Sequence, residues 1–326
     1  MGAYLRQHLP DVVGDHEIHF EQFPGGKANL TYLARVGDRE LVLRRPPVGP
    51  VAPKAHDMAR EYRVLSVLHA AYPKAPQAYL LCEDPAVMDK PFFVMERRHG
   101  HVVRGVWPEE LVAAGVTPRH VGENLVDALA ELHGVDPMAI GLGDLGHPDG
   151  FVERQVSGWA GRWQKARHED VPAMDRVAAR LASTLPAPQS VALLHNDFKL
   201  DNTMIGGDGR VVAVLDWDMA TIGDPLVDLG TMLAYWGAPG PAAAVAADSL
   251  MVGEAMAIDE VAERYAAATG FDVSNADWYR ALGLFRVAVI VQQIYIRYLR
   301  GQTSDERFAV LGALVPTLAE AAEGIL

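Results

Sequence analysis

The sequence predicts an α+β chain in two lobes: a small antiparallel-sheet lobe over residues 1–97 and a larger, mainly helical lobe over 98–326. Three observations carry that prediction. Between residues 18 and 97 the apolar segments are short and separated by Gly-, Pro- and Asp-containing turns, which is strand-and-turn patterning. Beyond residue 98 apolar residues recur every three or four positions, as at Val121, Leu125, Leu129 and Leu132, which is helical patterning. Finally, 326 residues at 50% hydrophobic and 22% charged composition suffice for two lobes with a substantial core.

Taken in order, residues 18–45 read as a hairpin followed by a third strand. Phe23-Pro24-Gly25-Gly26-Lys27-Ala28-Asn29 turns between the first two strands, Leu30 to Val36 returns, and Leu41 to Arg45 follows a turn at Gly37-Asp38. The two glycines let backbone approach a phosphate and leave N–H groups free to bind it; the alternative is an ordinary hairpin turn. Side chains alternate along a strand, so only one of Arg44 and Arg45 lines a cleft, and Arg44 is the candidate. Residues 55–70 form an amphipathic helix with Met58, Leu65 and Leu68 near one face. Gln77 to Cys82 and Phe92 to Glu96 complete the strands of the small lobe, and Met95, Glu96 and Arg97 form the hinge into the second lobe.

Thr117-Pro118 starts a helix whose buried face ends at Gly134. Phe151 to Arg167 is a second helix, in which Trp159 and Trp163, one turn apart, read as core packing. The most informative stretch follows. Val191 to Leu194 is a buried strand delivering His195, Asn196 and Asp197 into a loop that ends at Asn202. Thr203 to Ile205 turns through residues 206–209 into Arg210 to Leu215, which presents Asp216, Trp217 and Asp218. Asp197, Asn202 and Asp216 therefore converge at strand ends. Phosphoryl transfer asks a protein mainly to align the nucleophile and neutralise phosphate oxygens, and Mg²⁺ takes only one or two ligands from protein. Asn202 and Asp216 can supply them, while Asp197 takes or orients a hydroxyl proton.

Asp224-Pro225 starts a further helix through Trp236, and the Ala/Gly/Pro-rich stretch 237–247 reads as a connection or a small-residue helix start. Asp277 to Arg300 is a long apolar helix with Arg286, Gln293 and Arg297 on one stripe. That stripe either lines a substrate pocket or pairs with the acids of Asp224 to Asp228, and pairing is the favoured reading for buried charge.

His195-Asn196-Asp197 with Asn202, followed by Asp216-Trp217-Asp218 and Gly223-Asp224-Pro225-Leu226-Val227-Asp228-Leu229, resembles the aminoglycoside phosphotransferase and choline kinase family of protein-kinase-like folds. Leu43-Arg44-Arg45-Pro46-Pro47, Trp159 with its helix, and Arg297-Tyr298-Leu299-Arg300-Gly301-Gln302 resemble the branch that stands alone in bacteria and is fused to acyl-CoA dehydrogenases in animals. The resemblance implies a protein-kinase-like two-lobe fold and transfer of the γ-phosphate of ATP to a hydroxyl of a small molecule. The acceptor it suggests is a hydroxyacyl-CoA or hydroxy acid, with an aminoglycoside as the alternative. It implies that Asp197 is catalytic, and that Asn202 and Asp216, with Asp218 directly or through water, hold Mg²⁺. Arg44, held by Glu61, would contact the phosphates and Gly25, Gly26, Lys27 and Asn29 would cover them. Met95, Glu96 and Arg97 would read the base through backbone groups, which admits GTP as well as ATP. Arg286, Gln293 and Arg297 are the candidate acceptor contacts.

Two departures from the family pattern stand out. Asn196 occupies a place where most relatives have Gly; Asn tolerates left-handed backbone angles better than other non-glycine residues. Asp216 is followed by Trp217-Asp218 rather than Phe-Gly, and no Ala-Pro-Glu segment follows, which argues for a small-molecule acceptor rather than a peptide.

A net charge of −13 argues against non-specific binding to nucleic acid and to anionic membrane surfaces. The single cysteine, Cys82, rules out an internal disulfide, reads as a core residue and fits a reducing cytoplasm. No signal-peptide pattern opens the chain and no uncharged apolar run reaches membrane-spanning length, so the expected location is cytoplasmic. Two rival readings remain. A catalytically weak nucleotide-binding protein is suggested by Asn196 and Arg44, against the retention of Asp197, Asn202 and Asp216. A metal hydrolase built on His195 and Asp197 lacks further correctly spaced ligands; His195 is expected to brace the loop.

Overall fold

The computed structural model describes residues 1–23, 29–47, 57–236, 255–303 and 305–326. Gly25, Gly26 and Lys27 and the stretch 237–247 lie outside the described residues.

An antiparallel five-stranded sheet forms the N-terminal lobe, in the order β1 (Ile18–Gln22), β2 (Leu30–Val36), β3 (Arg39–Arg45), β5 (Phe92–Glu96), β4 (Ala78–Cys82). Gly37, at φ +57°, makes the tight turn between β2 and β3 that a residue with a Cβ would strain. Alternation along β3 sorts its side chains between two cores. Leu41 and Leu43 join Val36, Cys82, Phe92 and Val94 beneath two short helices that the sequence patterning missed, α1 (Gly2–His8) and α2 (Pro10–Val13), whose Leu5, Leu9 and Val13 close that face. Val42 faces the other way, with Phe93 and Met95, toward Val64, Leu65 and Leu68 of α3 (Met58–Ala71). Asp57 caps α3 by accepting the Arg60 N–H at 3.0 Å.

Helix α3 is fastened to the C-terminal lobe as well as to the sheet. Arg60 donates to the carbonyls of Leu145 at 2.7 Å and Ala220 at 2.8 Å, and Arg63 reaches Asp144 and the Gly141 carbonyl. The C-terminal lobe contains α4 (Glu109–Ala113), α5 (Pro118–His133), α6 (Phe151–Ala166) and α7 (Pro172–Ser183), then α8 (Leu226–Trp236), α9 (Ile258–Thr269), α10 (Ala276–Leu299) and α11 (Leu314–Ile325). Between α7 and α8 lie two small ladders: β6 (Ala192–Leu194) with β9 (Thr221–Gly223), and β7 (Thr203–Ile205) with β8 (Val211–Val214). The sequence patterning shows no strand at 221–223; three residues are too short for a periodic signal, and their pairing with β6 is long-range.

The backbones of α8 and α10 meet closely at two glycines. A Cβ on Gly230 would lie 2.3 Å from the Tyr279 carbonyl oxygen, and one on Gly283 would lie 2.4 Å from the Gly230 carbonyl oxygen. By length and composition, 276–299 and 306–325 are long and apolar enough to cross a bilayer; here 56% of the first stretch's apolar window is buried within the protein.

Candidate active site

Strand β6 runs through the core and ends at His195, which is fully buried. The His195 ring contacts the Leu215 carbonyl through Nε2 at 2.8 Å, while Nδ1 lies 3.3 Å from the Asp197 N–H. Nε2 thus donates and Nδ1 accepts, so both nitrogens are spent on backbone. Trp217 and Phe198 pack edge-on against the ring at 4.7 and 5.9 Å. His195 braces the loop and has no nitrogen left for a metal, which removes the hydrolase reading.

Asn196 adopts φ +63°, the left-handed conformation anticipated from its sequence. The two peptide N–H groups of His195 and Asn196 both donate to Asp228, at 2.7 Å each. Asp228, in the first turn of α8, is fully buried, with His133 Nε2 at 3.4 Å from the same carboxylate. The adjacent Asp224 accepts from Tyr279 Oη at 2.8 Å and from the Leu226 N–H at 3.0 Å.

Asp197 points into the cleft, its side chain about a quarter exposed. Its Oδ2 accepts from Asn202 Nδ2 at 2.9 Å and lies 3.3 Å from Lys199 Nζ. Lys199 was not singled out from the sequence, although it stands two residues from Asp197 in a polar loop. Burial opposes the Lys199 charge, but Tyr235, Asp197 and Asp201 outweigh burial and hold its pKa above the ordinary lysine value. Asn202 Nδ2 also donates to the Asp197 carbonyl at 2.9 Å, which leaves Oδ1 as the free end of the amide.

Asp216 also takes left-handed angles, φ +67°, at the end of β8. Its Oδ1 meets Arg44 Nη2 across the cleft. Arg44 Nε lies 3.0 Å from Glu61 Oε2 in α3, an ion contact off the line of a good hydrogen bond. Burial works against the Arg44 charge, and Glu61, Asp216 and Asp218 overcome it, so its pKa is raised. Burial is likewise the largest influence on Glu61 and pushes its carboxyl up, with Arg44 pulling it back. Asp218 is pushed from 3.8 up to about 6, first by burial and then by the neighbouring Asp216, against the pull of Arg44. Arg45, on the opposite side of β3, pairs with Asp89 at 2.8 Å.

Other expected site residues fall differently. Met95 and Glu96 belong to β5 rather than to a free hinge: the Glu96 N–H is taken by the Gln77 carbonyl at 2.8 Å, and its carboxylate by Arg98 at 3.1 Å. Arg97, just beyond, stacks on the Phe23 ring at 4.6 Å. Asn29 is 4% exposed, and among the described residues neither its Oδ1 nor its Nδ2 has a hydrogen-bond partner.

The expected pairing of Arg286 with the acids of 224–228 is corrected. Those acids serve the loop amides and Tyr279, while Arg286 donates to Asn196, to Oδ1 at 2.7 Å and to the carbonyl oxygen. Nor is the stripe uniformly buried: Arg286 is 5% exposed, Gln293 is half-buried and Arg297 is exposed. Helical periodicity fixes which residues share a stripe, not where the covering helices end. Trp159 is buried, yet it is more than core packing, with the guanidinium of Arg286 at 5.2 Å and that of Arg162 at 4.3 Å from its ring centre. A cavity of ≈ 10 Å³, lined by Gln155, Trp159, Thr231, Gly283 and Arg286 among others, lies beside this contact and is the size of one water.

A sheet lobe over a helical lobe, with a buried basic–acidic pair facing a loop of Asp197, Asn202 and Asp216, defines a kinase-like phosphotransferase fold. The family model described as "Phosphotransferase enzyme family" matches residues 19–282, and the chain belongs to that family, which includes the aminoglycoside phosphotransferases. The rat protein named acyl-CoA dehydrogenase family member 11 is 34% identical over 332 residues, covering 98% of this chain and 42% of its own length. Family member 10 from mouse is 33% identical over 328 residues, covering 98% of this chain and 30% of its own length. The chain thus spans well under half the length of these relatives. A provisionally assigned aminoglycoside phosphotransferase from Ralstonia eutropha superposes with a TM-score of 0.80 at 29% identity, covering 99% of this chain and 96% of the other. A thermostable aminoglycoside phosphotransferase crystallised with AMP-PNP and hygromycin B gives a TM-score of 0.62 at 17% identity, with 98% of each chain covered, and shares the fold.

Proposed function

We propose that the chain is an ATP-dependent phosphotransferase acting on a hydroxyl of a small, anionic acceptor, a hydroxy acid or hydroxyacyl thioester. The observation that carries the reading is Asp197, fixed by Asn202 and Lys199 within a cleft whose other wall bears the Glu61–Arg44 pair, with Arg44 reaching across to Asp216. In the reaction the acceptor hydroxyl is oriented by Asp197, which takes its proton. The hydroxyl oxygen forms the new bond to the γ-phosphorus, the bond from that phosphorus to the β–γ bridging oxygen breaks, and ADP leaves. Arg44, with Glu61 fixing its Nε, presents its remaining donors to the phosphates.

The donor set suits magnesium. Asn202 Oδ1 and the Asp216 carboxylate are hard oxygens, and the crowding that raises Asp218 is what a divalent cation relieves. When bound, Mg²⁺ would neutralise phosphate charge. The buried amide of Asn29, which among the described residues has no hydrogen-bond partner, stands just before β2 and supports nucleotide binding on the small-lobe side. Analogues of ATP in neighbouring structures support the same cofactor.

Two observations favour an anionic acceptor over a polycationic aminoglycoside. Among the described residues Arg162, on the Trp159 ring, has no ion-paired carboxylate, and burial followed by the nearby Arg286 lowers its pKa, a strain that an anion beside Arg162 would remove. The relatives' acyl-CoA dehydrogenase names point to acyl thioesters. Asp197→Ala should abolish ADP formation with hydroxyacyl-CoAs and hydroxy acids while leaving the Kd for MgATP within about threefold, because its carboxylate acts on the acceptor side. Loss of nucleotide binding in that variant would make Asp197 a structural residue. Turnover with aminoglycosides and none with hydroxy acids would reverse the acceptor assignment.

A further inference from the structure

We infer that Arg286 is a positioning residue for the catalytic loop, holding Asn196 in left-handed angles that a glycine would take unaided; the inference rests on the phosphotransferase reading for its kinetic consequence but not for its structural one. Asn takes left-handed angles less readily than Gly, though more readily than other residues with a Cβ, so outside contacts hold the Asn196 conformation. Two clamps impose it. Asp228 holds the peptide groups entering Asn196 through the N–H groups of His195 and Asn196. Arg286 holds the peptide group leaving it, one nitrogen on the carbonyl oxygen and the other on the side-chain oxygen.

That second contact fixes ψ of Asn196 and hence the plane of the peptide linking it to Asp197. The same plane directs the Asp197 N–H at His195 Nδ1 and sets the direction of the Asp197 Cα–Cβ bond. A planar fork grips two oxygens at a set angle, which an ammonium cannot do.

Three facts argue that this is what Arg286 is for. It is 5% exposed and, among the described residues, has no carboxylate within ion-pair distance, so a costly buried cation is kept for two neutral oxygens and the Trp159 face. The cavity beside it has room for about one water, too little for an acceptor molecule. Finally, Gly283, three residues earlier in α10, is where the α10 backbone meets α8 at Gly230, and Asp228 lies two residues before Gly230. Both clamps are thus delivered by one glycine-mediated helix contact.

The test compares the wild type, Arg286→Met, Arg286→Lys, Asn196→Gly and the double variant Asn196→Gly/Arg286→Met, with MgATP as probe and water as acceptor. Hydrogen–deuterium exchange of residues 193–202 is followed in parallel. Arg286→Met should lower kcat for ADP formation about 100-fold with the KM for MgATP unchanged within about twofold. Arg286→Lys should recover less than about tenfold of that loss. In the Asn196→Gly background, Arg286→Met should cost at least about tenfold less, because glycine takes the left-handed angles unaided. Exchange across 193–202 should rise in Arg286→Met and much less in the double variant. Equal losses in both backgrounds, or unchanged exchange in Arg286→Met, would overturn the inference. Absence of ADP formation by the wild type would instead count against the phosphotransferase reading, and the exchange comparison would still decide the role of Arg286.

Discussion

Asp218 shows how single residues connect burial to chemistry. Its carboxyl titrates near 6 instead of 3.8, so between those values the folded protein holds a proton that the unfolded chain has released. Its contribution to metal-free stability therefore falls as pH rises through that window. A divalent cation at the proposed site competes with the same proton. Mg²⁺ affinity measured with AMP-PNP present should weaken roughly tenfold per pH unit below about 6, and Asp218→Asn should flatten that dependence. A flat wild-type profile between pH 5 and 7 would place the cation away from Asp218. The residues of the loop were legible in the sequence because Asp197, Asn202 and Asp216 sit at strand ends in a recognisable order. Arg286 was visible as a buried charge but its partner was not: it donates to a carbonyl and an amide ninety positions away in the chain, and such acceptors carry no charge pattern.

Among the elements, α8 and α10 carry the site because two glycines let them touch. Gly230→Ala would set a methyl group 2.3 Å from the Tyr279 carbonyl oxygen. The helices must move apart, and we expect a loss of about 1–3 kcal/mol in denaturant unfolding together with weakened turnover, since Asp228 and Arg286 move with them. Gly324→Ala in α11, where no atom lies within 4 Å of the added Cβ, should instead be neutral or stabilise by up to about 1 kcal/mol. Similar outcomes for the two would mean that the close approach of α8 and α10 at Gly230 does not hold the site. Long periodic helices such as α5, α6 and α10 could be read from their apolar spacing, and Thr117 accepts from the His120 N–H at 3.2 Å as its capping position predicts. β9 and α1 could not, because each forms only against a distant partner: Leu194 opposite Thr221 in one case, the outer face of the sheet in the other.

Across the whole molecule, two cores divide the work. The large one runs from the inner face of the sheet through α3 into the helical lobe, and the small one holds α1 and α2 on the outer face. Leu5 is fully buried in the small core, so Leu5→Ala should cost about 2–4 kcal/mol of stability. The KM for MgATP should stay unchanged, because the cleft is built on the inner face. A KM that rose with the loss of stability would tie the N-terminal helices to the nucleotide site. Arg60 and Arg63 fasten α3 to the C-terminal lobe, so Glu61 is held in place for Arg44 by the larger body as well as by the sheet.

In the proposed mechanism Asp216 and its neighbours form a metal-dependent nucleotide site. The most direct test is a calorimetric titration of ATP into the wild type and Asp216→Asn, each with and without Mg²⁺. Binding by the wild type that strengthens with Mg²⁺, and loses that strengthening in Asp216→Asn, is the predicted result. Nucleotide binding that is indifferent to Mg²⁺ or to the substitution, or no binding of ATP or GTP under any condition, would rule out a metal-dependent nucleotide site at Asp216.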